Sequence, residues 1–112
     1  MNTELTNYIS IIRNYIKTSY QGMFREPGGA LKYPFITPGS ESYADVLWDW
    51  DSWLSDIALR QIFAEVNDSE ASDKAMEYER GCILNFLDWG DADGWMPILI
   101  GRDTKLEDIR PA

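Results

Sequence analysis

The chain has 112 residues, of which 45% are hydrophobic and 13% aromatic, and its formal net charge is −9. This length fits one domain with a core of its own, and the apolar and aromatic content excludes an intrinsically disordered chain. The negative charge and the scattered basic residues argue against nucleic acid and against anionic membrane surfaces as partners.

The first predicted element is an amphipathic helix over residues 3–21. Asn2 or Thr3 is placed to cap its start, and Gly22 allows it to stop. Apolar side chains recur there mostly at three- and four-residue steps, as one face of a helix requires: Leu5, Tyr8, Ile9, Ile12, Tyr15, Ile16 and Tyr20.

Residues 22–45 are too rich in proline and glycine to form a helix. We expect a long ordered loop with a short extended piece at residues 31–36. Disordered linkers rarely contain side chains such as Leu31, Tyr33 and Phe35, although a flexible connector between two helices is the alternative.

Two more helices follow. Either Asp49 or Asp51 can cap the second helix, which continues to Val66. Asn67 and Glu70 are spaced as a capping pair before a third helix over residues 69–88. The short connection predicts an antiparallel helical hairpin. Cys82 falls on the apolar side of the third helix, so we expect a buried, unreactive thiol.

A turn is predicted after Gly90. A calcium loop with Gly94 at its sixth position is excluded, because Trp89 and Ile100 would occupy positions that need oxygen ligands. Residues 101–112 are charged, and no further helix is predicted there.

The residue types also limit the chemistry. The chain has no histidine and one cysteine, which excludes serine–histidine and cysteine–histidine catalysis and most zinc sites. Carboxylates remain as acid–base groups, and we expect no metal and no cofactor. No basic segment followed by an apolar run opens the chain, and no stretch is long enough to span a bilayer, so we expect a soluble cytoplasmic protein.

The most informative stretch is residues 42–56, where aromatic rings alternate with carboxylates and no basic residue occurs. An aromatic ring can cover the apolar C–H face of a sugar, and a carboxylate can accept hydrogen bonds from two hydroxyls. The alternative is that the acids are helix caps and the tryptophans are core, although capping requires only one acid. The residues are Tyr43, Trp48, Trp50 and Trp53 with Asp45, Asp49, Asp51 and Asp56.

Residues 47–53, Leu-Trp-Asp-Trp-Asp-Ser-Trp, preceded by Gly28 to Gly39, resemble the start of the mannosylglycerate hydrolase-like glycoside hydrolases. These are relatives of the trehalases and the processing alpha-glucosidases. The likeness covers roughly residues 20 to 100. It implies an all-α fold, a partial (α/α)6 toroid, in which residues 1–112 are the amino-terminal part of a single catalytic domain. A solitary three-helix bundle is the alternative.

The resemblance implies an inverting glycoside hydrolase that acts on a small alpha-linked sugar such as mannosylglycerate, glucosylglycerate or trehalose. The catalytic acid and base of that family lie beyond the matched stretch, so no catalytic residue is assigned. The chain would hold only part of the sugar site. Its predicted substrate-binding residues are Tyr43, Trp48, Asp49, Trp50, Asp51 and Trp95.

Roles within this predicted site also follow from the resemblance. Asp51 would cap the second helix and accept hydrogen bonds from sugar hydroxyls, Trp48 or Trp50 would form the apolar wall, and Tyr43 would offer a hydroxyl. Trp95 belongs to a Gly-Trp-Met-Pro segment that relatives place in a loop on the active-site side, although packing against the helices is an equal alternative.

Two other functions are compatible with the sequence. One is a carbohydrate-binding fragment without chemistry, and the other is an unrelated helical interaction protein whose tryptophans are all core. A piece of a larger helical fold would leave apolar surface of Trp53, Leu54 and Ile57 uncovered, so we also expect self-association.

Overall fold

A computed structural model of the chain describes residues 2–38, 42, 45–105 and 107. Across these residues the chain forms three α-helices and four short strands. The helices are α1 (Thr3–Ser19), α2 (Asp49–Val66) and α3 (Ser69–Trp89), and a 3₁₀ turn, Tyr20–Met23, follows α1. The strands are β1 (Phe24–Arg25), β2 (Phe35–Ile36), β3 (Val46–Trp48) and β4 (Leu99–Gly101).

The strands form two antiparallel pairs, so the fold is mixed α/β. Strand β1 pairs with β2, with Phe24 opposite Ile36, and β3 pairs with β4, with Leu47 opposite Ile100. The prediction of an all-α fold, as a partial (α/α)6 toroid or as a three-helix bundle, is therefore wrong. Strands of two or three residues are too short to show an alternating pattern in the sequence. In addition, β3 and β4, which pair with each other, are far apart along the chain.

The three predicted helices are present close to their predicted bounds. The Asn2 side chain caps α1, because its Oδ1 accepts a hydrogen bond from the Glu4 N–H at 2.7 Å. Helix α3 is capped by Asp68, whose Oδ1 accepts from the Ala71 N–H at 3.0 Å, and not by Asn67. Asn67 instead ends α2 in the left-handed conformation, with φ 53°.

The start of α2 differs from the prediction. Its capping residue is Trp48, which makes no side-chain capping bond, so neither Asp49 nor Asp51 is the cap. The pairing of β3 with β4 carries extended backbone up to Trp48, and the Asp49 N–H donates to the Ile98 carbonyl at 3.0 Å. The residue just before β4 thus satisfies one of the four backbone donors that have no partner within the helix.

The core forms where an extended segment, residues 28–37, lies against α3. We call it the docking segment. The buried Asn85 binds both backbone groups of Tyr33: its Oδ1 accepts from the Tyr33 N–H at 3.1 Å, and its Nδ2 donates to the Tyr33 carbonyl at 2.9 Å. The Trp89 indole N–H donates to the Ala30 carbonyl at 2.9 Å. In a larger sheet, a neighbouring strand would pair with such backbone groups; here the side chains of Asn85 and Trp89 do so.

The buried apolar side chains come from the docking segment, from α2 and α3 and from β3 and β4. They form one cluster, against which Ile16 and Tyr20 pack from the end of α1 and the turn that follows. Its members are Leu31, Phe35, Ile36, Leu47, Leu59, Phe63, Ala71, Ala75, Tyr78, Cys82 and Ile100.

Helix α1 contributes little to this core. All of its residues are described, and none of them is buried. Its apolar stripe is open to solvent, with Tyr8 54% and Tyr15 69% exposed. One ion pair, between Arg13 and Glu65 at 3.1 Å, links the helix to α2. An exposed pair of this kind contributes little stability, so α1 is held mainly at its carboxyl end.

Gly81 lies on α3 at the contact with the docking segment, where there is no room for a side chain. A Cβ atom built there would lie 1.6 Å from the Pro34 carbonyl oxygen. We expect Gly81→Ala to lower the free energy of unfolding by about 2 kcal/mol or more, because the clash outweighs the gain in helix propensity of about 1 kcal/mol.

The matched control is Gly22→Ala, since a Cβ at Gly22 meets nothing within 4 Å. Urea unfolding followed by tryptophan fluorescence measures both variants. Equal unfolding midpoints for Gly81→Ala and Gly22→Ala would show that the docking segment does not lie tightly against α3.

Candidate functional site

A cleft of about 520 Å³ opens between α2, α3 and the loop that precedes β4. We call it the α2–α3 cleft. A second groove of about 490 Å³ lies around Arg60, Glu79 and Arg80, but its described lining residues include no aromatic ring. The α2–α3 cleft combines an aromatic side chain with carboxylates. Its lining residues are Asp49, Ser52, Trp53, Asp56, Cys82, Ile83, Phe86, Leu87, Gly94, Met96 and Pro97.

The wall formed by α2 follows from helical spacing. Counted from Asp49, the lining residues lie three, four and seven positions further along the chain, at Ser52, Trp53 and Asp56. This spacing places all four on one face of a helix. Trp53 is 58% exposed, so much of its ring is available to a ligand.

The loop at residues 94–97 reaches the same cleft because β4 pairs with β3 next to the start of α2. A turn shapes this loop: Asp91 Oδ1 accepts from the Asp93 N–H at 2.9 Å and from the Trp95 N–H at 3.0 Å. Gly94 has φ 83°, a conformation that glycine adopts without strain. The turn therefore presents Met96 and Pro97 to the carboxylates of α2.

The residues predicted to bind substrate are not all brought together. Asp49 lines the cleft. Trp48 is half-buried in β3, whereas Trp50, 69% exposed, and Asp51 lie on the surface of α2. The chain is helical from Asp49 onward, so Asp49, Trp50 and Asp51 lie at different positions around α2 and do not share one face.

The remaining two predicted residues differ in how far the structure describes them. Trp95 is half-buried, and it is not among the described residues that line the cleft, although its neighbours Gly94 and Met96 are. Tyr43 lies outside the described residues.

Ser52, Trp53 and Asp56 are the cleft residues of α2 that the predicted site lacks. A sequence signal for them exists, since with Asp49 they form the i, i+3, i+4, i+7 pattern of one helical face. Asp45, from the same acidic stretch, lies elsewhere: it pairs with Arg102, and its Oδ1 lies 3.8 Å from Arg25 Nε.

Asp56 has the most perturbed carboxyl group at this site. Its Oδ1 is shielded from solvent and has no hydrogen-bond partner among the described residues. Burial, and after it the negative charge of the nearby Glu79, raise the pKa of Asp56, while Arg60 lowers it; the net result is a pKa of about 7 in place of the ordinary 3.8. Asp56 is therefore partly protonated at neutral pH.

The hydroxyl and the thiol of the cleft are already engaged in hydrogen bonds. The Ser52 hydroxyl donates to the Ile36 carbonyl at 2.6 Å, and Cys82 Sγ accepts from the Ile36 N–H at 3.2 Å. Burial raises the pKa of Cys82 to about 12, so the thiol stays neutral. The prediction that Cys82 is buried is confirmed.

Comparison of the chain with protein-family models, with curated proteins and with solved structures found no match in any of the three. In the described part of the chain, no three histidine, cysteine or acidic side chains are grouped so that they could hold a metal ion. None of the described helices combines the length and the apolar character needed to cross a membrane.

The pKa of Asp56 leads to a prediction about stability. The folded chain holds the Asp56 proton more tightly than the unfolded chain does, with a pKa of about 7 against an ordinary 3.8. The free energy of unfolding should therefore decrease as pH rises from about 4 to about 7, as the unfolded chain ionises first. Asp56→Asn removes this dependence. We expect the variant to exceed the wild type by about 2 kcal/mol at pH 8, after discounting for partial exposure, and by little at pH 4.

Urea unfolding of both proteins between pH 4 and pH 8 measures the effect. Asp51→Asn, an exposed carboxylate on the same helix, is the matched control for the loss of a charge. If Asp56→Asn were as stable as the wild type or less stable at pH 8, the description of Asp56 as a destabilising, partly buried acid would be incorrect.

Proposed function

We propose that the chain carries part of the sugar-binding site of a glycoside hydrolase and that a small carbohydrate binds in the α2–α3 cleft. The observation that supports this most directly is that an exposed tryptophan ring, Trp53, and two carboxyl groups, Asp49 and Asp56, line the same cleft. The likeness of residues 47–53 to the mannosylglycerate hydrolase-like enzymes is the second support. It suggests a small alpha-linked sugar such as mannosylglycerate, glucosylglycerate or trehalose.

The chemistry of the cleft suits such a ligand. The face of an indole ring can cover the apolar C–H face of a pyranose, while carboxylate oxygens accept hydrogen bonds from its hydroxyls. Pockets for small molecules commonly measure about 300–1,000 Å³, so a cleft of about 520 Å³ has room for a sugar unit.

We propose a role in binding and assign no catalytic residue. An inverting hydrolase needs two carboxyl groups that face each other across the scissile bond, about 6.5–9.5 Å apart. Asp49 and Asp56 stand on the same wall, two helical turns or about 10 Å apart along the axis of α2. The chain by itself is therefore expected to bind a sugar without hydrolysing it.

Substitution of single tryptophans tests where the sugar binds. Trp53→Ala removes the ring that lines the cleft, and we expect it to weaken binding of trehalose or mannosylglycerate about fivefold or more, since a stacked ring contributes about 1 kcal/mol. Trp50→Ala is the matched control, because Trp50 is exposed on the same helix outside the described lining of the cleft.

Nuclear magnetic resonance titration of the ¹⁵N-labelled protein measures both affinities. The reverse result, in which Trp50→Ala weakens binding and Trp53→Ala does not, would place the sugar on the surface of Trp50 and Asp51. Absence of binding by the wild type would refute the proposed function.

The exposed apolar stripe of α1 supports a further proposal, that the chain self-associates. Tyr15→Ser removes the most exposed ring of the stripe, 69% exposed, and we expect it to lower the association constant severalfold. The neighbouring Asn14→Ser, also at an exposed position, is the control. Analytical ultracentrifugation over a range of concentrations measures both, and a wild-type protein that stays monomeric throughout would contradict the proposal.

A further inference from the structure

We propose that Asp56 is a hydrogen-bond donor of the α2–α3 cleft and that it selects ligands with an oxygen that carries no proton, such as the glycosidic or ring oxygen of a sugar. This inference deepens the proposed function and rests on it. It assigns a distinct task to an acid that the resemblance does not single out.

The position of Asp56 is the first support. Its side chain lines the cleft together with the apolar Phe86, Met96 and Pro97. Its Oδ1 is shielded from water and has no hydrogen-bond partner among the described residues, so a ligand in the cleft can meet the carboxyl group only at Oδ2. An ionised carboxylate in such a place loses hydration without compensation, whereas the neutral acid loses much less.

The charged groups around Asp56 favour the same state. From α3, the buried Glu79 lies close enough to disfavour a second negative charge. From α2, Arg60 favours ionisation, but its guanidinium is bound to Glu79 and its side chain is 69% exposed. Asp49 adds another carboxylate to the cleft, Cys82 contributes a thiol whose pKa is about 12, and the 94–97 loop contains no charged residue. The net effect leaves the pKa of Asp56 at about 7.

A sugar contains oxygens that can be bound only by a hydrogen-bond donor. Sugar hydroxyls both donate and accept, but glycosidic and ring oxygens only accept. An ionised carboxylate also only accepts, so it cannot bind those oxygens. The Ser52 hydroxyl already donates to the Ile36 carbonyl. A protonated Asp56 therefore supplies a donor that an ionised carboxylate cannot provide.

The experiment compares trehalose binding at pH values from 5 to 9 in the wild type and in two variants, by nuclear magnetic resonance titration. In the wild type we expect affinity to fall about tenfold or more as pH rises through about 7. Asp56→Asn keeps an N–H donor that does not titrate, so its affinity should stay near the low-pH value of the wild type at every pH. Asp56→Ala should bind weakly at every pH.

Asp49→Asn is the control from the same cleft: it removes a carboxylate acceptor but should preserve the pH dependence centred near 7. A wild-type affinity that does not change with pH, or a dependence that persists in Asp56→Asn, would overturn this inference and leave the proposed function standing. No binding at any pH would overturn the proposed function and this inference with it. Thermal unfolding checks each variant, and Asp56→Asn alone decides the question if Asp56→Ala does not fold.

Discussion

The contact between the docking segment and α3 is the interaction on which the rest of the structure depends. Asn85 is fully buried and supplies one acceptor and one donor to the backbone of Tyr33, as a neighbouring strand would. Gly81, one turn earlier, leaves room for the Pro34 carbonyl. Because an unpaired buried backbone group costs about 1–3 kcal/mol, this contact allows an irregular segment to lie inside the core.

Ile36, at the end of this contact, joins the two long helices. Its N–H donates to Cys82 Sγ on α3, and its carbonyl accepts the Ser52 hydroxyl from α2. One strand residue thus binds to both helices, and the cleft opens beside it. The two side chains that bind Ile36, Ser52 and Cys82, line this cleft together with Asp56. The docking segment therefore holds two of the side chains that line the proposed site.

Two features of the cleft do not contribute to the stability of the fold. Trp53 leaves 58% of its surface in contact with solvent, and Asp56 would have to lose part of its hydration if it were ionised. Neither residue improves the core, and a carboxyl group with a strongly raised pKa in a cleft is typical of functional sites. This is the physical argument for a ligand in the cleft, and it is independent of any resemblance between sequences.

The sequence alone determined the parts of the protein that depend on neighbours along the chain. The three helices and the burial of Cys82 follow from periodicity, and both are confirmed. Local residue type narrowed the cap of α1 to Asn2 or Thr3, and the structure places it at Asn2. The two sheets, the start of α2 at Trp48 and the grouping of Asp56 with Met96 and Pro97 were decided only by the tertiary structure. These features come from hydrogen bonds and packing between residues far apart in sequence, which leave no periodic pattern in strands of two or three residues.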